Sequence, residues 1–229
     1  MGNKSGNSYG LTALIPIKSG ACNNTSYDKI IRNQLQTWPT GNDSPMARVP
    51  NTYLARCYVL DDVFYQGKPA SEDHLESKYL VFSSNFYGDL ETYLSKMWGA
   101  IDLEITALLK NCVAFSKVNS QSSFVAYMKK CQVENSLFFN GSNDLPLARQ
   151  LKDIYIKQAF SYFTYATQDF QYQGDVGARR LQSAYSDFIK MVDVDNLAQP
   201  TIGAAAEEFP HDIEANILKI VEKVTEQEK

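Results

Sequence analysis

The chain has only two histidines, His74 and His211, among its 229 residues, which limits histidine-based acid–base chemistry and metal binding severely. Cysteine is equally sparse. Cys22, Cys57, Cys112 and Cys131 are widely spaced, with no CxxC pair and no Cys/His cluster at metal-ligand spacing, so reduced thiols in a cytoplasm are the expected state. Phosphate-cradling loops of the GxxxxGK[ST] and GxGxxG kinds are absent, as is a GxSxG elbow, so nucleotide-dependent chemistry and a serine triad find no support. No apolar run approaches the roughly 18 residues needed to span a bilayer, and the polar start from Met1 to Gly10 lacks an apolar signal core. A cytoplasmic protein with no membrane partner is expected. On that expectation the sequons at Asn23 and Asn140 are chance matches, and Gly6 stands where an acylation signal at Gly2 would want Ser or Thr.

Positive charge is also thin. The formal net charge is −4, and Lys129-Lys130 and Arg179-Arg180 are isolated pairs, so no basic stripe offers itself to nucleic acid. What is present is an ordinary globular composition, 44% hydrophobic and 12% aromatic, in a length that suits one large domain or two half-domains.

Periodicity divides the chain further. Residues 1–10 read as a disordered N-terminus. Leu11 to Lys18 reads as a buried strand with Pro16 at an edge or bulge, and Ser26 can cap a helix over 27–38 that Pro39 stops. Tyr53 to Leu60 and Tyr79 to Phe86 read as two further strands, joined by a long polar loop through Gly67, Pro69 and His74. Asp89 caps the clearest helix, whose stripe of Leu90, Leu94, Met97, Ile101, Ile105 and Leu108 must pack on the sheet. Strand, helix, strand, strand, helix is the order in which a ferredoxin-like half begins, with Val113 to Phe115 as its fourth strand. The fold expected is therefore α+β: a ferredoxin-like antiparallel sheet covered by helices over 11–118, with a second, mainly helical half over 119–229 packed on it. That half comprises a helix near 122–130, an apolar run at 136–139, a long helix over 145–172 capped by Asn143 or Asp144 and ended by Gly174 and Gly177, and amphipathic segments over 179–192 and 204–225.

The segments Leu14 to Lys18, Ala55 to Asp62 and Tyr79 to Phe86 resemble the ferredoxin-like, dimeric α+β barrel superfamily, a likeness that covers the first half of the chain. That superfamily includes chlorite dismutase-like proteins, dye-decolourising peroxidases and small monooxygenases, several of which hold haem or an apolar substrate between sheet and helices. The resemblance implies a cavity, a homodimer and haem as a candidate cofactor. The peroxidase signature GxxDG has no counterpart, because Gly88-Asp89 reads as a helix cap.

Candidate site residues follow. His211, flanked by Phe209 and Ile213, has the better setting for an axial haem ligand; His74 lies in a polar loop, and the plain reading of both is an exposed histidine. Arg56, a lone guanidinium between Leu54, Tyr58 and Leu60, must be paired or face a polar cavity, and Ser83 and Asn85 on the next strand are the partners with which it would hold an anionic or carbonyl group. Tyr155, Tyr162 and Tyr165 beside the phenylalanines of the long helix suit a pocket rim or an interface. Two functions stand side by side: binding of a small hydrophobic or aromatic ligand, with haem as one candidate and an oxidative activity as its extension, or a non-catalytic homo-oligomeric interaction protein.

Overall fold

Alternation along the first long strand fixes which side of the sheet becomes core. The computed structural model describes residues 2–141, 144–193, 195 and 210–226, of which the side chains of 210–212 are not described. By contact the chain divides into two units, Met1–Leu147 and Ala148–Lys229. The boundary thus falls nearly thirty residues later than the sequence pattern suggests, because the segment after 119 stays with the sheet.

In the first unit, β1 (Lys4–Ser5) and β2 (Ser8–Pro16) form a hairpin, α1 (Tyr27–Thr37) follows a two-stranded ribbon of β3 (Ala21–Cys22) and β4 (Thr25–Ser26), and β5 (Thr52–Leu60) and β6 (Tyr79–Tyr87) complete the sheet. Its order is β1-β2-β6-β5, every neighbouring pair antiparallel. The N-terminal residues expected to be disordered are instead tied down. Asn3 sends its side-chain amide to Gly10 O at 2.9 Å, and Asp144 accepts from Asn7 N at 2.7 Å and from Ser8 Oγ at 3.2 Å. Polar side chains with complementary partners order a segment whose composition alone reads as loop.

Leu11, Ala13 and Ile15 of β2, Leu80 and Phe82 of β6 and Val59 of β5 face one way and are buried. Three helices fill that side: Ile31 of α1, the stripe of α2 (Leu90–Leu109), and Phe124 and Met128 of α3 (Gln121–Cys131). The expected cap is present, since Asp89 Oδ1 accepts from Thr92 N at 2.9 Å. Within α2, Ile101 departs from helical geometry (φ −143°, ψ 35°) two residues after Gly99.

The fourth strand expected at 113–115 does not form. Ala114 adopts a left-handed conformation (φ 60°) and a 3-10 turn runs over Phe115–Lys117. The free edge of β2 is sealed piecemeal: Val113 N donates to Pro16 O and Val133 N to Thr12 O, each at 2.8 Å. The apolar run at 136–139 forms neither helix nor strand; a side chain at Gly10 would strike the Phe138 ring at 2.7 Å.

The second unit is helical. It contains α4 (Leu147–Ala166), a 3-10 turn (Gln168–Tyr172), α5 (Gly174–Met191) and α6 (Pro210–Glu226), packed around Phe163, Phe170, Phe188, Ile213 and Ile217. The single long helix expected over 145–172 therefore breaks at Thr167, whose hydroxyl bonds back to Phe163 O at 2.8 Å before the 3-10 turn begins. The glycines expected to end it serve the next helix. Gly174 opens α5 with φ +59°, and a Cβ on Gly177 would lie 1.8 Å from Phe170 O, so only glycine lets α5 pass the turn. Asn143 and residues 204–209, assigned to a cap and a helix from the sequence, lie outside the described residues.

Candidate functional site

Between the buried face of the sheet and α1, α2 and α3 lies a cavity of about 230 Å³. Its floor is Ile15, Leu80 and Phe82, its helical walls are Met97, Ile101, Ile105, Phe124 and Met128, and Leu35, Trp38, Thr40, Ser44 and Met46 complete the lining. The kink of α2 sits in the wall, because Ile101 is both the non-helical residue and a lining residue. The lining is mostly hydrocarbon, aromatic ring and thioether, with the Cys57 thiol and the hydroxyls of Thr40 and Ser44 among its polar groups. Ser44 is already engaged, its hydroxyl accepting from Met46 N at 3.3 Å.

Ala55 and Cys57 line the side of the cavity formed by β5. Burial pushes the Cys57 thiol up to about 12, and the neighbouring Cys112 thiol adds in the same direction. Cys112, fully buried, is held at about 12 first by its own burial and then by Cys131. Both are neutral thiols at physiological pH and behave as small apolar groups.

Arg56 borders the cavity between these two residues, yet alternation along β5 sends its side chain to the opposite face, where it is exposed with Leu54 and Tyr58. It forms no ion pair among the described residues, so the buried-charge problem anticipated for it does not arise. Ser83 pairs directly with Arg56 across the ladder and Asn85 follows on the same face. The expected trio is brought together, but on the far side of the sheet from the cavity.

Tyr155, Tyr162 and Tyr165 belong to the second unit. Tyr155 and Tyr162 pack against its core and Tyr165 is three-quarters exposed, and none of them lines the cavity. His74 is a loop residue whose Nδ1 lies 2.7 Å from Asp62 Oδ2. Asp62 organises that loop: the backbone N–H of Leu75, then His74, then the N–H of Val63 draw its carboxyl down to about 2. His211 stands in the first turn of α6, with its side chain outside the described residues.

A haem group does not fit these residues. The cavity is smaller than the 300 Å³ or so at which pockets for drug-sized ligands begin, and among the described residues no imidazole lines it. Among the described residues no group of three or more His, Cys, Asp or Glu could hold a metal ion, and no helix is long and apolar enough to cross a membrane. The residues that make the cavity escaped the site reading of the sequence, although Met97, Ile101 and Ile105 were visible as a helical stripe. A stripe reports which side chains face inward and carries no signal for whether they meet.

No protein-family model matches the chain, and neither the curated proteins nor the solved structures contain a match to it.

Proposed function

We propose that the first unit binds a small neutral hydrophobic or aromatic molecule between its sheet and helices. The observation that carries this reading is the apolar cavity of about 230 Å³. A dry, hydrocarbon-lined hole of roughly 150 Å³ is enough to hold benzene. The larger volume here suits one substituted ring or a compact bicycle, held by the burial of apolar area at about 25 cal/mol per Å². Among the described lining residues none carries a carboxylate or an imidazole, and the Arg56 side chain is exposed on the other face of β5, so the reading is one of binding and assigns no oxidative step. The strand–helix–strand–strand–helix order and the central antiparallel pair of β2 and β6 support a ferredoxin-like description of this unit.

The test is calorimetric titration with indole and with toluene, repeated on Ala55→Phe, which fills the hole from its strand wall. Micromolar to millimolar binding by the parent protein and at least a tenfold weaker Kd in the variant are expected. Heat signals that do not saturate for any single-ring or bicyclic compound would overturn the reading.

One observation favours a second reading, the homodimer. Leu54 and Tyr58 are each 49% exposed on one face of β5, on either side of Arg56. Exposed apolar side chains that share a sheet face offer a surface for association. Sedimentation of the parent protein against Tyr58→Glu tests it: a dimer mass that reverts to 25.8 kDa in the variant supports it, and a monomer throughout refutes it.

A further inference from the structure

The two edges of the sheet are treated differently. Ile17 N donates to Lys78 O at 2.9 Å, which sets the phase of the β2–β6 ladder: Leu80, Phe82 and Ser84 bond toward β2, and Val81, Ser83 and Asn85 bond toward β5. Their partners on β5 are Tyr58, Arg56 and Leu54, so Ala55, Cys57 and Val59 direct their N–H and C=O groups outward. The Val59 carbonyl is taken by Arg32 Nη2 at 3.3 Å, in keeping with that phase. No hydrogen-bond partner among the described residues reaches the backbone of Ala55 or Cys57. On the other edge, Asn3, Val113 and Val133 close β2 at Gly10, Pro16 and Thr12. Proteins normally blunt an exposed edge, because its unpaired groups are a template for another strand.

The open stretch of β5 is also the wall of the cavity, since Ala55 and Cys57 line it. The geometry points to β-strand addition: an extended peptide pairs with Ala55 and Cys57 and places an apolar side chain in the cavity. This rests on the proposed binding role of the cavity and names its occupant. In such pairing the backbone supplies affinity and pockets for alternate side chains supply selectivity. The peptide residue opposite Arg56 projects onto the face away from the cavity, where the guanidinium has no ion-pair partner among the described residues, so a carboxylate is favoured there. Its two neighbours project to the cavity side and are apolar, giving the pattern apolar–acidic–apolar.

A second copy of β5 fits less well. Two-fold pairing brings only the small Ala55 and Cys57 side chains of the second copy toward the cavity side and leaves the hole empty. The register centred on Arg56 also sets two guanidinium groups directly opposite each other, which is unfavourable.

The experiment uses the full chain and the fluorescein-labelled peptide Thr-Leu-Glu-Phe-Thr, followed by anisotropy. Saturable binding is expected. N-methylation of the Leu and Phe amides, which face β5 in this register, should weaken it at least tenfold, while N-methylation of the Glu amide, which faces away, should leave it unchanged. Arg56→Glu should weaken binding about tenfold, and a Lys in place of the peptide Glu should restore it. Absence of saturable binding, or equal binding by both methylated peptides, overturns the inference. Indole separates the two readings: indole binding without peptide binding rejects strand addition alone, and binding of neither rejects the cavity as a site.

Discussion

The phenol oxygen of Tyr93 lies 2.7 Å from the Ser84 hydroxyl inside the first unit, with Thr52 Oγ1 3.1 Å away on the other side. Ser84 is buried on a strand otherwise filled by Leu80, Phe82 and Phe86, and Tyr93 stacks on Phe86 with ring centroids 3.6 Å apart. Tyr93→Phe keeps the ring and removes the partner of a buried hydroxyl, which costs about 1–3 kcal/mol. Urea denaturation should show a lower midpoint with an unchanged slope, and Tyr93→Phe combined with Ser84→Ala should recover part of the loss.

Two helical glycines should respond with opposite sign. A Cβ at Gly99 meets nothing within 4 Å, so Gly99→Ala should stabilise α2 by about 0.5–1 kcal/mol through helix propensity. At Gly177 the added carbon would strike Phe170 O, so Gly177→Ala should destabilise the second unit by roughly 1–3 kcal/mol. Thermal melts of both variants check the contrast; stabilisation by Gly177→Ala would remove the packing role given to that residue.

Strands and helices of the first unit were legible because each carried its own local signal. The Asp89 cap, the 3.6-residue stripe after it and the alternation in Tyr53 to Leu60 depend on neighbours in sequence. The faces were harder to assign: Arg56 among apolar neighbours reads as a buried charge, yet a face that is exposed only along β5, while Val81 and Ser8 on it are buried, yields the same alternation. The N-terminal strands are held by Asp144, more than 130 residues away, and the long helix ends at Thr167 although Ser161 and Thr164 make the same back-bond as Thr167 without a break. Neither leaves a mark in composition. The cavity depends on a bend at Ile101 and on side chains from α1, α2, α3 and the sheet failing to touch, a property of shape alone.

Alkaline pH should weaken the first unit. Burial raises Cys57 and Cys112 from 9.0 to about 12 in the folded chain, so the folded state holds these protons more tightly than the unfolded one. Stability is then full below the unfolded value near 9 and declines as pH rises from 9 toward 12. Denaturation midpoints measured across pH 8–11 should fall, and the fall should be shallower in Cys57→Ala/Cys112→Ala. A parallel fall in both proteins would show that other groups govern the alkaline limit.

Enlarging the cavity should change which ligand stabilises the protein. Met128 is 2% exposed and lines the wall opposite the sheet, so Met128→Ala costs about 2–5 kcal/mol, part of it from the hole left behind. A molecule that binds only the folded state returns RT ln(1 + [L]/Kd), about 2.7 kcal/mol at a hundredfold excess over Kd. Thermal shifts with toluene, indole and naphthalene should therefore rise with ligand size more steeply in Met128→Ala than in the parent protein. His74→Ala, in a loop that does not border the cavity, should leave every one of these shifts unchanged. Ligand shifts that ignore Met128→Ala, or that vanish with His74→Ala, would place the bound molecule elsewhere on the protein.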